Sequence, residues 1–444
     1  MRYKLSSFCH LYRLNDQVVF YHALNMRTVH AESATTFHVH EDYIESEDTK
    51  LIERLQQAGL IVSSDQDDPA LLQKARAEIL SPYVSTAYFF LTKNCNLACR
   101  YCFEKQSEIQ NSDNSVMSNE VLEAGIRFFS RLTKLDMTRF SEKKTIIFYG
   151  GEPFHNKPLL YHGVKVIEDS VAQGFLPDNT RLIIVTNGTL LNDDDILFIR
   201  DHNITLTFSL DGDKTASINR VYPDGQTPAW EKATANFRKC REMGVDLNVA
   251  CTLTPQTISR QQQVLDYFVH EAKASNIGFN VILDNDIIQL DSDYADRAAE
   301  FVSSSYPILK RAGITENRTQ RRISVFRHKH PCLFDCNATG GRQIAIAPNG
   351  DVGICHEHIM DKKHFVTTVF DDNFAPDTSS TYCEFARRTP LYMEECQTCE
   401  AIGICGGGCI INAERKYHDM FRVDPRFCKQ TIRILRDIIL PEKI

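Results

Sequence analysis

The 444-residue chain contains one tryptophan and no excess of positive charge. It also has no apolar run approaching the ~20 residues that a bilayer-spanning helix needs, so no membrane segment is expected. Fifty Lys and Arg against 58 Asp and Glu leave a formal net charge of -8. Without a basic stripe to neutralise phosphates, a nucleic-acid partner is excluded. Met1 to Leu14 mixes polar and apolar residues without a continuous apolar segment, so no secretory signal is expected and the chain is placed in the cytoplasm. Internal repeats and low-complexity tracts are absent as well. Apolar residues at 43% and charged residues at 24% exclude disorder. The length suggests about two to four domains.

Cysteine is abundant. Of fifteen, eleven fall into two groups with ordered spacing, and in a reducing compartment such groups bind metal more often than they pair as disulfides. Cys9, Cys240, Cys251 and Cys383 stand outside both groups and read as ordinary buried or surface thiols.

Residues 1–80 read as a small winged-helix-like module. Strand-like runs at His10–Arg13 and Val18–Ala23 flank the turn-prone Asn15–Asp16, and a third lies at Thr36–Val39. A helix over Lys50–Ala58 presents Leu51, Ile52 and Leu55 and ends at Gly59. Leu60–Val62 re-enters as a strand, and a further helix covers Ala70–Ile79. From residue 85 to about 315 the pattern changes to strand–helix repeats, with strands predicted at Tyr88–Leu91, Thr145–Tyr149, Leu182–Thr186, Thr205–Ser209, Asp246–Cys251 and Gly278–Leu283. Amphipathic helices lie between them: Leu122, Ile126, Phe129 and Leu132 share one face, and Val264, Leu265, Phe268, Val269 and Ala272 another. This predicts an α/β fold with a parallel sheet and right-handed crossovers, as a partial (β/α)6 TIM-like barrel with its chemistry at the carboxyl ends of the strands. Residues 316–331 read as a linker or exposed helix. Residues 332–444 form a cysteine-rich domain held by metal more than by a large core, closed by a helix at about Lys429–Leu440.

Directly after the first predicted strand stands Cys95–Asn96–Leu97–Ala98–Cys99–Arg100–Tyr101–Cys102. Three thiolates on one short loop can hold three irons of a cubane and leave the fourth iron open to a small molecule. A structural zinc or thiol site is the competing reading. Gly150–Gly151–Glu152–Pro153, Thr186–Asn187–Gly188, Ser209–Leu210–Asp211–Gly212 and Asn219–Arg220 follow in order, most of them at strand ends. This series resembles the radical S-adenosylmethionine (SAM) superfamily. The resemblance implies an enzyme whose Cys95/Cys99/Cys102 [4Fe–4S] cluster binds SAM and generates a 5′-deoxyadenosyl radical. It also implies SAM contacts at Gly150, Gly151 and Glu152 (amino group), Ser209 (ribose), Arg220 (carboxylate) and Tyr101 (adenine).

Downstream, Cys336 and Cys355 are followed by Cys396-x2-Cys399-x5-Cys405-x3-Cys409 and by Cys428. Taken alone, the middle run also suits a zinc knuckle. The whole resembles the SPASM extension of radical SAM maturases. By that resemblance Cys396, Cys399, Cys405 and Cys428 bind one auxiliary [4Fe–4S] cluster. Cys336, Cys355 and Cys409 bind another, with Cys332, outside the strict motif, as its fourth ligand. The chain would then carry three clusters. His356 and His358 beside Cys355 read as solvated or as further ligands.

Within that family two groups compete. Anaerobic sulfatase maturases oxidise Cys or Ser of a partner protein to formylglycine. They usually start close to the cysteine loop and place an acidic base where this chain has His356. Maturases of ribosomally made precursor peptides often carry an N-terminal recognition element that takes the leader peptide as an added strand. Residues 1–80 suit that role by size and element order, which is the favoured reading; an extension that packs on the next domain is the alternative. The expected function is therefore radical modification of a precursor peptide, by a cross-link or related C–H functionalisation, with a flavodoxin- or ferredoxin-like electron donor. Formylglycine formation is the alternative, and a non-catalytic iron–sulfur carrier or sensor the alternative of another class. No residue is assigned as a base.

Overall fold

A computed structural model describes residues 1–32, 37–79, 82–102, 116–283 and 287–442. All six predicted core strands form, at Thr86–Thr92, Thr145–Gly150, Arg181–Thr186, Thr205–Ser209, Leu247–Leu253 and Asn276–Val281, and they pair in chain order, each parallel to the next. Their register stacks large apolar residues, with Phe89 opposite Phe148, Phe148 opposite Ile184, and Phe208 opposite Val249. Phe89, Phe148 and Phe208 are fully buried, and burial of each such side chain is worth about 1.5–3 kcal/mol. This is the parallel α/β core of a partial TIM barrel.

The helix Asn119–Thr133 is capped by Ser118 and buries Leu122, Ile126, Phe129 and Leu132, the predicted face. The second predicted stripe lies on Gln261–Asp266, which widens into a π-helical turn at Tyr267–Ala272. Val264, Leu265, Phe268 and Ala272 are buried there.

The sheet does not stop at six strands. Thr315–Glu316 adds beside Asn276–Val281 at one edge. At the other edge Gln343–Ile346 lies parallel to Thr86–Thr92 and leads into an antiparallel run, Asp351–Gly353 and Phe365–Thr368. Among the described residues ten strands thus form one sheet. Two compact units result: residues 81–318 with 341–386, and residues 1–80 with 319–340 and 387–444.

In the second unit the first eighty residues carry more strand than a winged helix. Arg2–Lys4, Tyr43–Ser46 and Phe37–Val39 form one antiparallel sheet, and Cys9–Leu14, Gln17–His22 and Thr28–Glu32 another. Thr36 of the predicted third strand lies outside the described residues. The Thr49–Gln57 helix is capped by Asp48 and closes a core of Phe20, Val29, Ile44, Leu51, Ile52 and Leu55. Asp67–Ala77 is the second helix. Residues 319–328, the end of the Asn317–His328 helix, belong to this unit and bury Arg322 and Phe326, so the polar look of that stretch conceals an inner face. The backbone N–H of Gly403 donates to the Ala23 carbonyl at 3.0 Å, joining the early strands to the late cysteine region. The last helix runs Pro425–Ile434 and continues as a π-helical turn, Leu435–Ile439.

Candidate active site and cysteine groups

Thr92, Gly150, Thr186 and Ser209 end four adjacent parallel strands, so the motifs that follow them share the carboxyl edge of the sheet, where open α/β folds bind ligands. The cysteine loop is fixed there by backbone bonds. Ala98 N donates to the Val221 carbonyl at 2.6 Å, and Arg100 N to the Asn219 carbonyl at 2.9 Å. Cys95, Cys99 and Cys102 form no disulfide among the described residues, and Cys95 lies close enough to the other two to interact electrostatically. Burial pushes the Cys95 thiol far above its ordinary value, so its thiolate needs a positive partner. A set of soft sulfur donors suits iron–sulfur ligation, and the residues fit the group.

Gly150 and Gly151 act on the protein itself. A Cβ on Gly150 would stand 2.1 Å from the Thr92 oxygen, and one on Gly151 would stand 2.3 Å from the Asn94 oxygen. Only glycine permits this approach. It brings Gly151 N onto Thr92 O and Glu152 N onto Asn94 O, each at 2.9 Å, and so clamps the entry to the cysteine loop.

The Glu152 carboxylate is already occupied. One oxygen accepts from Thr186 Oγ1 at 2.7 Å and Phe154 N at 3.2 Å; the other accepts from Asn187 N at 2.7 Å. Burial raises its pKa to about 7, against the pull of these donors. Glu152 therefore ties the glycine turn to Thr186–Asn187. Asn187 in turn donates to Asn96 Oδ1 at 3.0 Å, inside the cysteine loop.

A second hub is Asp211, fully buried after the Thr205–Ser209 strand. It accepts from Arg220 Nε at 2.9 Å, Tyr101 Oη at 2.5 Å and Thr252 N at 2.9 Å. Arg220 also lies 5.3 Å over the Tyr101 ring. Arg220 and Tyr101 are thus brought together by a residue to which the sequence reading gave no role. Its only signal was its place in Ser209–Leu210–Asp211–Gly212. Ser209 is half-buried at the strand end, opposite Ala250.

Among the remaining cysteines, Cys396, Cys399, Cys405 and Cys428 interact electrostatically with one another. Burial pushes Cys396 up to about 12 and Cys399 up to about 11. Cys332 N donates to the Gly403 carbonyl at 2.7 Å, and its thiol lies near Cys405. Cys336 Sγ is 3.7 Å from Thr339 Oγ1. Gly406, Gly407 and Gly408 all have positive φ, and a Cβ on Gly406 would meet the Phe334 and Asp335 backbone at 2.4 Å. Gly406, at the start of the loop between Cys405 and Cys409, thus packs directly on the Phe334–Asp335 backbone.

Cys355 belongs to the core's unit, buried just after the Asp351–Gly353 strand. Next to it, the His356 ring stacks on Tyr88 at 4.4 Å and meets Tyr149 edge-on at 5.2 Å, so it is an aromatic partner of the core strands. His358 is buried rather than solvated. Of the four cysteines outside both groups, Cys240 and Cys251 are fully buried.

Residues 89–268 match the Radical SAM superfamily. A serine-type anaerobic sulfatase-maturating enzyme of Klebsiella aerogenes is 23% identical over 78% of this chain and 83% of its own length. The radical SAM cyclopropyl synthase TigE of Paramaledivibacter caminithermalis is 23% identical over 80% of this chain and 73% of its own. Among solved structures, native anSMEcpe with bound AdoMet superposes with a TM-score of 0.66 at 19% identity, covering 81% of this chain and 100% of that one. Streptococcus suis SuiB bound to precursor peptide SuiA gives 0.55 at 14% identity, covering 96% of this chain and 100% of that one. The superfamily implies a [4Fe–4S] cluster and SAM. Among the described residues no helix is long and apolar enough to cross a membrane.

Proposed function

The chain is a radical SAM enzyme, and from that premise we propose that it modifies a ribosomally made precursor peptide in the cytoplasm, drawing electrons from a flavodoxin- or ferredoxin-like donor. One observation carries the choice of substrate. The likeness to SuiB, a structure solved with its precursor peptide, leaves only 4% of this chain uncovered and so takes in most of the first eighty residues. Those residues form two three-stranded antiparallel sheets, and a sheet edge is what an extended leader peptide can join. The leader binds there, and the core residues of the peptide are delivered to the carboxyl edge of the parallel sheet.

At that edge Cys95, Cys99 and Cys102 would hold a [4Fe–4S] cluster able to bind SAM. When bound, the pair supplies a 5′-deoxyadenosyl radical that removes hydrogen from an unactivated carbon. The protein's part is placement. Gly150–Gly151 fixes the loop entry and, with Glu152, lines the place of the SAM amino group; Ser209 meets the ribose and Tyr101 the adenine. Arg220 gives Asp211 part of its five-donor fork and turns the rest to the SAM carboxylate. Cys396, Cys399, Cys405 and Cys428 hold one auxiliary cluster, and Cys332, Cys336 and Cys409 give thiolates to a second.

The Klebsiella relative favours a second reading, oxidation of a Cys or Ser side chain to formylglycine. One experiment separates the two. The anoxically reconstituted, reduced full chain is given SAM and either a short peptide encoded beside it or a sulfatase-derived Cys or Ser peptide. The proposal expects 5′-deoxyadenosine and a mass change in the adjacent peptide alone. Formylglycine in the sulfatase peptide, with the adjacent peptide untouched, decides for the second reading. No 5′-deoxyadenosine with any peptide leaves only an iron–sulfur carrier.

A further inference from the structure

Arg388 is one of the largest side chains the molecule buries completely. Its guanidinium donates to the carbonyls of Gly407 at 2.7 Å, Gly408 at 3.1 Å and Arg422 at 3.2 Å, and also to that of Met420. All four are neutral acceptors. A buried cation is costly unless an anion neutralises it. The buried acids among the described residues of this unit are Asp335 and Asp424. Asp335 faces both Arg321 and Arg322, and Asp424 is taken by Arg426 in a 2.8 Å pair. Among the described residues of this unit, neither buried acid pairs with Arg388.

The chain offers it thiols instead. Cys409, Cys336, Cys405 and Cys396 lie within electrostatic reach of the guanidinium. Gly407 and Gly408, which hold it, belong to the loop between Cys405 and Cys409. A thiolate-ligated cluster bears net negative charge, and that charge grows by one when an electron enters.

We propose that Arg388 is the built-in counter-cation of the auxiliary clusters and raises their reduction potential, so that they accept an electron from the substrate side more readily. This rests on the reading of Cys336, Cys396, Cys405 and Cys409 as cluster ligands. The step is a one-electron transfer in which no bond forms or breaks; the substrate radical is oxidised and the cluster reduced.

The test uses the full chain with Cys95→Ala, Cys99→Ala and Cys102→Ala, so that only auxiliary clusters give an electron paramagnetic resonance signal. After anoxic reconstitution it is titrated with dithionite and mediators, with Arg388 retained or changed to Gln or Lys. Arg388→Gln keeps donors for the glycine carbonyls but removes the charge. Its one-electron reduction equilibrium should fall at least tenfold, about 59 mV, while Arg388→Lys stays near the parent. If the Gln variant loses auxiliary iron and the Lys variant keeps it, the cation is required for assembly and the proposal holds. Equal potentials with Arg and Gln overturn it, as do equal shifts, or equal losses of iron, in Gln and Lys variants. Auxiliary sites without iron even with Arg388 intact overturn the cluster reading itself.

Discussion

In the parallel-sheet unit the buried guanidinium of Arg220 meets the buried carboxylate of Asp211, whereas in the cysteine-rich unit that of Arg388, among the described residues, hydrogen-bonds to carbonyls and to no carboxylate. The first unit balances its charge with its own side chains and has a sheet to hold them. The second has two small antiparallel sheets, but around its cysteines it has only short helices and turns, and on the proposal above its charge balance is completed by the auxiliary clusters. The core should therefore remain folded without iron, while the cysteine-rich unit should depend on it.

The strongest challenge to this contrast comes from the cysteines. Cys99→Ala should abolish formation of 5′-deoxyadenosine, measured by chromatography of the reduced enzyme with SAM, yet leave the thermal unfolding of the core little changed. Cys399→Ala should do the reverse: SAM cleavage persists at a reduced rate and product formation is lost. Its hydrogen exchange should speed up across residues 1–80 and 387–444.

Next in size is Asp211→Asn. It leaves Arg220 buried without its anion, a change worth about 3–5 kcal/mol in comparable buried pairs. Denaturant unfolding should register that loss, and SAM affinity by equilibrium dialysis should weaken at least tenfold because Tyr101 and Arg220 lose the anion that holds both.

The smallest effect is a divergence with pH. His22 accepts the N–H groups of Leu24 and Asn25 on Nδ1, and burial holds its pKa down at about 4. Its stabilisation is full above the unfolded value of about 6.5 and is lost as pH falls through 4. Glu152 has the opposite sign: raised to about 7, it stabilises below the unfolded carboxylate value, and that contribution is lost as pH rises through 7. Between pH 7 and 5 amide exchange should accelerate around His22 relative to that around Glu152. Parallel behaviour of the two segments would count against the contrast.

Local pattern carried the core strands, because each is a short β-branched or aromatic run bounded by turn residues. The cysteine loop was legible from its spacing, and the strand-end motifs from their order along the chain and their resemblance to the radical SAM superfamily. Pairings at long range were not. Gln343–Ile346 looks like any four-residue apolar run, and nothing near it announces that it lies beside Thr86–Thr92. Arg2–Lys4 is too short and too polar to read as a strand until Tyr43–Ser46 pairs with it. Asp211 and Arg388 share a subtler invisibility. Charged residues are exposed by default, and only tertiary packing shows that Asp211 is enclosed with Arg220 and Tyr101, or Arg388 with the glycine carbonyls.

The bond from Gly403 to Ala23 has a consequence for the order of assembly. Residues 1–80 leave the ribosome before their partners at 387–444, which are made only after the whole parallel sheet. At ~5–20 residues per second, the early strands wait tens of seconds for the segment that completes their unit. During that interval the sheet can close while the opening module stays unfinished, its apolar strands open to chaperones or to misassembly. On the proposed cluster assignment, iron–sulfur loading of the late cysteines is a closing event of biogenesis, after synthesis has passed the last of them.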